Sequence, residues 1–161
     1  PEMVNALVIS SIAIYLILMF QFRSVVEPLV VMAAIPLGLL LLAGVNAGSE
    51  WVQRTWFPAL WASDTAISEA MSRGLGIPQV LALGVTAGVG EEITIRGALQ
   101  PKVGIALAAL LFAALHVQYS WFGMLVIFAL GMLLGVLRKR TSTTVAMVVH
   151  AVYDMIAVFS T

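Results

Sequence analysis

The stretch "IPQVLALGVTAGVGEEITIRGALQP", residues 77–101, decides how this chain folds. Residues 77–90 carry no charged side chain, and Glu91, Glu92 and Arg96 follow directly. An uncharged run of this kind is typical of a helix inside a lipid bilayer, because a helix satisfies its backbone hydrogen bonds internally. Asp, Glu, Lys and Arg make up only 10% of the chain, so this charge cluster either lies in water or has a use.

The composition of the whole chain agrees with a membrane protein. The 161 residues are 61% hydrophobic with a mean hydropathy of +1.06, whereas soluble domains are about 45–50% apolar. The formal net charge is zero, which gives no sign of a nucleic-acid surface, and the lack of Cys excludes disulfides and thiolate metal sites. We expect a fragment or processed piece, since the chain begins with Pro1, and we find no signal-peptide pattern.

The apolar runs predict an all-α, polytopic helical membrane protein with about six transmembrane helices. A helix needs about 17–25 apolar residues to cross a bilayer. The predicted spans cover residues 4–20, 29–48, 77 into the Glu-Glu pair, 103–116, 121–137 and 143–159.

Residues 51–75 differ in character from the runs around them. They hold three of the four Trp residues, which suits a membrane interface, and they predict an amphipathic helix with Ser63 or Asp64 as N-cap and Gly74 as its stop. We therefore predict three regions: an N-terminal transmembrane hairpin at 1–50, an interfacial connector at 51–75, and a four-helix bundle at 76–161.

Lys and Arg residues predict the orientation. With six crossings, most of them fall in three connections on one side of the membrane, at 22–28, 96–102 and 138–140: Arg23, Arg96, Lys102, Arg138, Lys139 and Arg140. The positive-inside rule makes that side cytoplasmic and both termini external. We expect an integral, multi-pass protein of the cell (inner) membrane.

Glu92 and Arg96 are spaced i,i+4, with the acid first, which favours an ion pair on a helix. Glu91 points about 100° away from Glu92, since a helix turns by that amount per residue. Glu91 is therefore the better candidate for a free base and Glu92 for a structural partner. The alternative is a helix end whose three charged groups all reach water.

Two later stretches bring imidazoles. "HAVYD" places His150 and Asp154 one turn apart within an apolar run, where the carboxylate can orient the ring or both can face one ligand or metal. "LFAALH" ends the fourth predicted span with His116. The alternatives are a satisfied polar pair between helices for the first and an interfacial histidine for the second.

Depth in the membrane is a difficulty for a shared site. Counted from the helix ends, His116 lies deeper than Glu91 or His150. Tilted helices or a re-entrant loop at 97–102 would have to bring them level.

Two G-x-x-x-G patterns, Gly84 with Gly88 and Gly131 with Gly135, allow close helix approach. Ordinary glycine enrichment of membrane helices explains them equally well.

The three polar motifs together resemble the CPBP family, which contains the CAAX proteases and the bacteriocin-processing, Abi-like enzymes. That family has E-E-x-x-x-R, F-x-x-x-H and H-x-x-x-N or D in this order. This chain reads "EEITIR" from Glu91, "FAALH" from Phe112 and "HAVYD" from His150. The resemblance covers about residues 76–160.

The resemblance implies an intramembrane endopeptidase that cleaves prenylated or membrane-associated peptides. It implies that Glu91 activates a water with the help of His116, and that His150 and Asp154 stabilise the oxyanion. Glu92 and Arg96 complete the predicted catalytic set, with Arg96 holding Glu92. Direct attack by water is the simpler mechanism, because the chain has no Cys and no serine nucleophile motif.

The family's metal dependence is open, and so is the cofactor here. No cofactor is required by a glutamic protease, whereas a metallo-endopeptidase would bind zinc, with Glu91, His116, His150 and Asp154 as the available ligands. The motif more often ends in Asn. Asp154 must therefore be protonated, orient His150 or bind a cation. Expected partners are the lipid bilayer and a peptide or prenylated-protein substrate, with no nucleic acid.

Residues 15–39, "YLILMFQFRSVVEPLVVMAAIPLGL", resemble instead a helix–loop–helix of RND-type efflux transporters. Two other functions therefore compete with proteolysis. One is a proton- or ion-coupled transport module, in which the acids and histidines form the pathway. The other is a non-catalytic membrane scaffold or immunity protein, in which the polar groups only determine packing.

Overall fold

The computed structural model describes residues 2–160, and every regular element in this range is helical. The predicted all-α fold is confirmed. The elements are α1 (Glu2–Phe22), α2 (Val26–Trp56), α3 (Pro58–Ser72), α4 (Ile77–Glu92), a π-helical segment (Ile93–Leu99, here the π segment), α5 (Gln100–Ala114), α6 (Trp121–Arg140) and α7 (Thr143–Phe159).

Three helical stretches are long and apolar enough to cross a membrane, judged by length and composition: Val26–Trp56, Ile77–Ala114 and Trp121–Arg140. The second of them is not one straight helix, since it turns back at Gly104. Two shorter apolar helices accompany them, Val8–Phe20 and Thr143–Phe159. Their outward faces carry large apolar side chains, such as Leu40 at 70% exposure. Lipid is the solvent that suits such faces.

The chain reverses direction at Gly104. This residue has φ +82° and ψ 173°, a backbone conformation that is open almost only to glycine. The guanidinium of Arg96 lies 4.5 Å from the centre of the Phe112 ring, and both residues are eight positions from Gly104. Only a hairpin with its tip at Gly104 brings them together.

This hairpin corrects the predicted connection at 96–102. Those residues continue the helix from α4 through the π segment into the start of α5. The part of α5 beyond Gly104 ends at Ala114, a length of about 15 Å at about 1.5 Å per residue, half of a bilayer core of about 30 Å. A re-entrant element therefore exists, but it is helical and turns at Gly104.

Glycines set the distance between neighbouring helices at both G-x-x-x-G patterns. A Cβ added to Gly88 would lie 2.7 Å from the backbone nitrogen of Ala151, and one added to Gly135 would lie 2.6 Å from the Ile105 side chain. Such distances are below van der Waals contact. The close-packing interpretation of these patterns is therefore the one that the structure supports.

The second helix is part of the main core. Leu42 of α2 is 2% exposed and packs with Leu130 and Leu134 of α6 and with Val145 and Val149 of α7. Helix α2 also extends to Trp56, beyond the predicted region boundary at residue 50. Helix α1 packs against α2.

The connector helix α3 begins at Pro58, earlier than predicted. Proline suits the first turn of a helix because its missing N–H has no partner there in any case. Ser63 and Asp64 lie inside α3, so the predicted N-cap is wrong. The predicted stop is close: α3 ends at Ser72, and Gly74 has φ +79°.

Candidate active site

Glu92 and Arg96 form an ion pair inside the bundle. Their side chains are 0% and 1% exposed, and Arg96 Nη1 lies 3.0 Å from Glu92 Oε1. Arg96 Nη2 also donates a hydrogen bond of 3.1 Å to the carbonyl of Gly131. Buried charges require such partners. The alternative, a helix end whose charged groups reach water, is wrong for this pair. Arg96 is buried and does not lie in a water-exposed connection between spans.

The π segment holds Arg96 in this position. Arg96 and Gln100 are four residues apart, and they donate to the carbonyls of Gly131 and Gly135, which are also four apart. The bond from Gln100 Nε2 is 3.0 Å long. π-Helical turns occur frequently at functional sites. Here the turn lies directly after the two glutamates, and α6 accepts one hydrogen bond from the π segment and one from the first residue of α5.

His150 of α7 lies beside the glutamate pair with only 6% of its surface exposed. Its Nδ1 is 2.9 Å from Glu92 Oε1. Because Glu92 is paired with Arg96 and its oxygen accepts, Nδ1 is the donor of this bond. The other ring nitrogen, Nε2, lies 3.4 Å from Asp154 Oδ2 and 3.8 Å from Glu91 Oε2.

The two adjacent glutamates differ in their surroundings. The Glu91 side chain is 37% exposed, and its distance of 3.8 Å to His150 Nε2 is longer than a hydrogen bond. Glu92 is fully buried between Arg96 and His150. Glu91 is therefore the carboxylate of this pair that a small molecule can reach.

His116 joins the site through Phe112. Its Nδ1 lies 2.9 Å from the Phe112 carbonyl, which can only accept, so Nδ1 carries a proton and Nε2 of the neutral ring is an acceptor. The Phe112 ring contacts the rings of both His116 and His150, with centroid distances of 4.9 Å and 5.8 Å.

The Gly104 hairpin removes the difficulty over depth. Glu92 and His116 both lie twelve residues from Gly104, on opposite arms. The pairing of Arg96 with Phe112 shows that equal distances from Gly104 face each other. His116 therefore reaches about the same depth as Glu92.

The polar residues do not form a recognisable metal centre. Among residues 2–160, no three His, Cys, Asp or Glu side chains are arranged to hold a metal ion. The polar groups of the cluster already bind one another: His150 Nδ1 donates to Glu92, and Glu92 pairs with Arg96. The arrangement of Glu91, His116, His150 and Asp154 therefore does not fit a bound metal ion.

Sequence reasoning missed one buried polar cluster. Asp64 is 9% exposed and accepts hydrogen bonds from Gln53 and from Ser120, the N-cap residue of α6. The sequence suggests Asp64 as a cap for its own helix, whereas its carboxylate binds the N-cap residue of α6. The only local signal was an acid beside a predicted helix start, and the partner is 56 positions away.

Comparison with known proteins gives the family. A family model described as type II CAAX prenyl endopeptidase Rce1-like matches residues 73–156, just over half of the chain. The chain belongs to this family. All six polar residues of the three motifs lie inside the matched range of this Rce1-like protein, as do the π segment and the Gly104 hairpin. Helices α1 and α2 lie outside it.

A curated relative of this Rce1-like protein is "Uncharacterized protein YpbD" of Bacillus subtilis (strain 168), 32% identical over 104 residues. The aligned part is 63% of this chain and 55% of that protein, so the chain spans about half the length of its relative. No solved structure matches. Family membership and the apolar helices together indicate an integral membrane protein related to CAAX-type proteases.

Proposed function

We propose that this Rce1-like protein is an intramembrane endopeptidase in which Glu91 activates the attacking water. One observation carries the proposal: two neighbouring glutamates have divided surroundings, with Glu92 enclosed by Arg96 and His150 and Glu91 left accessible beside His150 Nε2. A general base must be able to reach its water, and only Glu91 of the pair can.

The proposed reaction begins with water between Glu91 and His116. Glu91 takes one proton, His116 Nε2 accepts a hydrogen bond from the same water, and the hydroxide adds to the scissile carbonyl. The developing oxyanion accepts a hydrogen bond from His150. As the C–N bond breaks, Glu91 returns the proton to the leaving amine, which closes the proton balance.

Asp154 is assigned an orienting role. As an anion it would repel an oxyanion, so direct stabilisation by Asp154 does not fit. Its Oδ2 lies 3.4 Å from His150 Nε2, which suits a group that holds the imidazole. An imidazolium at position 150 would donate to Glu92 through Nδ1, and its single Nε2–H would turn from Asp154 to the oxyanion as that charge develops.

The substrate class follows from the family name rather than from the geometry. We propose membrane-associated peptides, prenylated CAAX sequences among them, because the family is described as a CAAX prenyl endopeptidase. Whether cleavage requires zinc is decided by the chelator experiment described below.

The test compares purified wild-type protein with Glu91→Gln and His150→Ala on membrane-anchored and prenylated peptides, with fragments identified by mass spectrometry. Glu69→Gln is the matched control, since Glu69 is an exposed glutamate of α3. We expect cleavage by wild type and by Glu69→Gln. Loss of one catalytic group typically costs about 100-fold to 10,000-fold, so both site variants should fall near background.

A zinc chelator divides the two mechanisms. Cleavage that persists with chelator supports the metal-independent route derived above. Cleavage that is lost with chelator and restored by zinc contradicts it. Cleavage by the Glu91→Gln variant at the wild-type rate contradicts the proposed role of Glu91.

A further inference from the structure

Asp64 lies at the centre of a buried hydrogen-bond cluster that joins three separate parts of the chain. Gln53 Nε2 of α2 donates to Asp64 Oδ2 at 2.6 Å. The backbone N–H of Ser120 donates to Asp64 Oδ1 and the Ser120 hydroxyl to Oδ2, both at 2.7 Å. Hydrogen bonds to a charged group are the strong ones. We call Gln53, Asp64 and Ser120 the Asp64 clamp.

The start of α6 is built around this carboxylate. Ser120 is the N-cap of α6, and its hydroxyl accepts the N–H of Gly123 at 3.1 Å. A Cβ added to Gly123 would lie 2.8 Å from Asp64 Oδ2, so only glycine leaves room for the acid. A negative charge at a helix N-terminus is also favourable.

The clamp acts on the loop that carries His116. This loop, residues 115–120, ends at Ser120, four positions after His116. Within it, the Tyr119 N–H donates to the His116 carbonyl at 3.1 Å. The Tyr119 hydroxyl lies 3.4 Å from Ser68 Oγ, one helical turn after Asp64 on α3. Helix α3 therefore holds both residues that follow the His116 turn.

We infer that Asp64 is a positioning residue for His116. Helix α5 ends at Ala114 and holds one side of the imidazole, through the Phe112 carbonyl and the Phe112 ring. The Asp64 clamp fixes the other end of the loop. Gln53 and Asp64 both lie outside the family-matched residues 73–156. This role for Asp64 therefore adds α2 and α3 to the unit that forms the site. The effect on turnover rests on the proposed function, whereas the effect on the imidazole does not.

The first experiment observes the histidines directly. The chain has two of them, so NMR of full-length protein with labelled histidine gives one ring signal each for His116 and His150, assigned with His116→Gln. We expect Asp64→Asn to shift the His116 signal and leave that of His150 in place. Asp64→Ala removes both acceptor oxygens, so Ser120 loses its bonds to α3 and the shift should be larger than in Asp64→Asn.

The second experiment measures peptide cleavage by the same variants. A displacement of about 1 Å can lower rates by about 100-fold, so we expect Asp64→Asn to lower kcat by about tenfold or more with KM little changed. Val80→Ala is the control for lost stability alone, because Val80 is 2% exposed in α4 and lies about 18 Å along the helix from Glu92. If Asp64→Asn fails to fold, Gln53→Ala removes one bond of the clamp and should give a smaller shift of the same sign.

The inference is overturned if the His116 signal is unchanged in every folded clamp variant, or if Val80→Ala shifts it as much as the clamp variants do. A His116 signal that shifts in the clamp variants and not in Val80→Ala supports it. If that pattern occurs while wild-type protein cleaves no peptide, the clamp stands and the proposed function fails.

Discussion

At the scale of single residues, different surroundings give two adjacent glutamates different chemistry. Glu91 and Glu92 are adjacent, and a helical turn of about 100° per residue sends them in different directions. One meets Arg96 and His150 in the interior, and the other keeps 37% of its side chain accessible. Their chemistry therefore differs although their covalent structure is the same.

Glu92→Gln should cost much more stability than Glu91→Gln. Removing the charge of Glu92 leaves the Arg96 guanidinium buried without its partner, which typically costs about 3–5 kcal/mol. Glu91 is partly exposed, and substitutions away from buried networks change the free energy of unfolding by about 0.5 kcal/mol. Denaturant titration in detergent micelles measures both.

The same comparison separates an enzyme from a scaffold. An enzyme loses cleavage in Glu91→Gln while its unfolding free energy is kept. A scaffold that uses Glu91 for packing would instead lose stability, and equal destabilisation by both variants would contradict the division of roles proposed here.

At the scale of elements, the distance between α4 and α7 determines the site. Glu91 and Glu92 end α4, and His150 lies on α7, so the two helices must approach closely for the 2.9 Å contact between Glu92 and His150. Gly84 and Gly88 provide that approach by leaving no side chain between the backbones. In a membrane, close packing of this kind is a principal source of helix association.

Gly88→Ala should therefore lower both stability and cleavage. Its new Cβ would lie 2.7 Å from the Ala151 nitrogen, so α7 must move and carry His150 away from Glu92. Gly44→Ala is the matched control, because no atom lies within 4 Å of its added Cβ. Gly44→Ala should leave cleavage unchanged and raise the free energy of unfolding by about 0.5–1 kcal/mol. The unfolding temperatures and cleavage rates of the two variants are compared. Equal values for Gly88→Ala and Gly44→Ala would refute the role of Gly88 in helix approach.

At the scale of the whole molecule, the polar site lies in a bundle that includes α2. Leu42 packs between α6 and α7, and a Cβ added to Gly38 would lie only 3.2 Å from the side chains of Leu137 and Val149, the residue before His150. The predicted regions 1–50, 51–75 and 76–161 remain predictions as functional units. Structurally, α2 shares one core with the helices that carry the site.

Leu42→Ala should destabilise the bundle by about 2 kcal/mol or more, since deleting buried atoms leaves a cavity. Leu40→Ala is the control on the same helix, because Leu40 is 70% exposed to the surroundings that lipid would occupy. Its effect should be small, as a lipid chain packs on alanine nearly as well as on leucine. Unfolding in detergent measures both, and similar losses would mean that α2 is not a core helix.

The sequence by itself determined the class of fold and the chemistry available to the site. Long apolar runs require helices in a bilayer, and the predicted helix at 143–159 has the bounds of α7. The i,i+4 spacings of Glu92 with Arg96 and of His150 with Asp154 are local, so helical geometry alone brings each pair together. Scarce charge in an apolar chain drew attention to the residues that the structure gathers.

Only the tertiary structure decided where the chain turns and which partner each polar group finds. Gly104 resembles the other glycines in sequence, and the apolar residues after it resemble a full span, so nothing local marks the hairpin tip. The same holds for Asp64, whose partner Ser120 is 56 positions away, and for Arg96 over Phe112. Such contacts depend on how whole helices pack, and packing is a property of side-chain volumes on several helices at once.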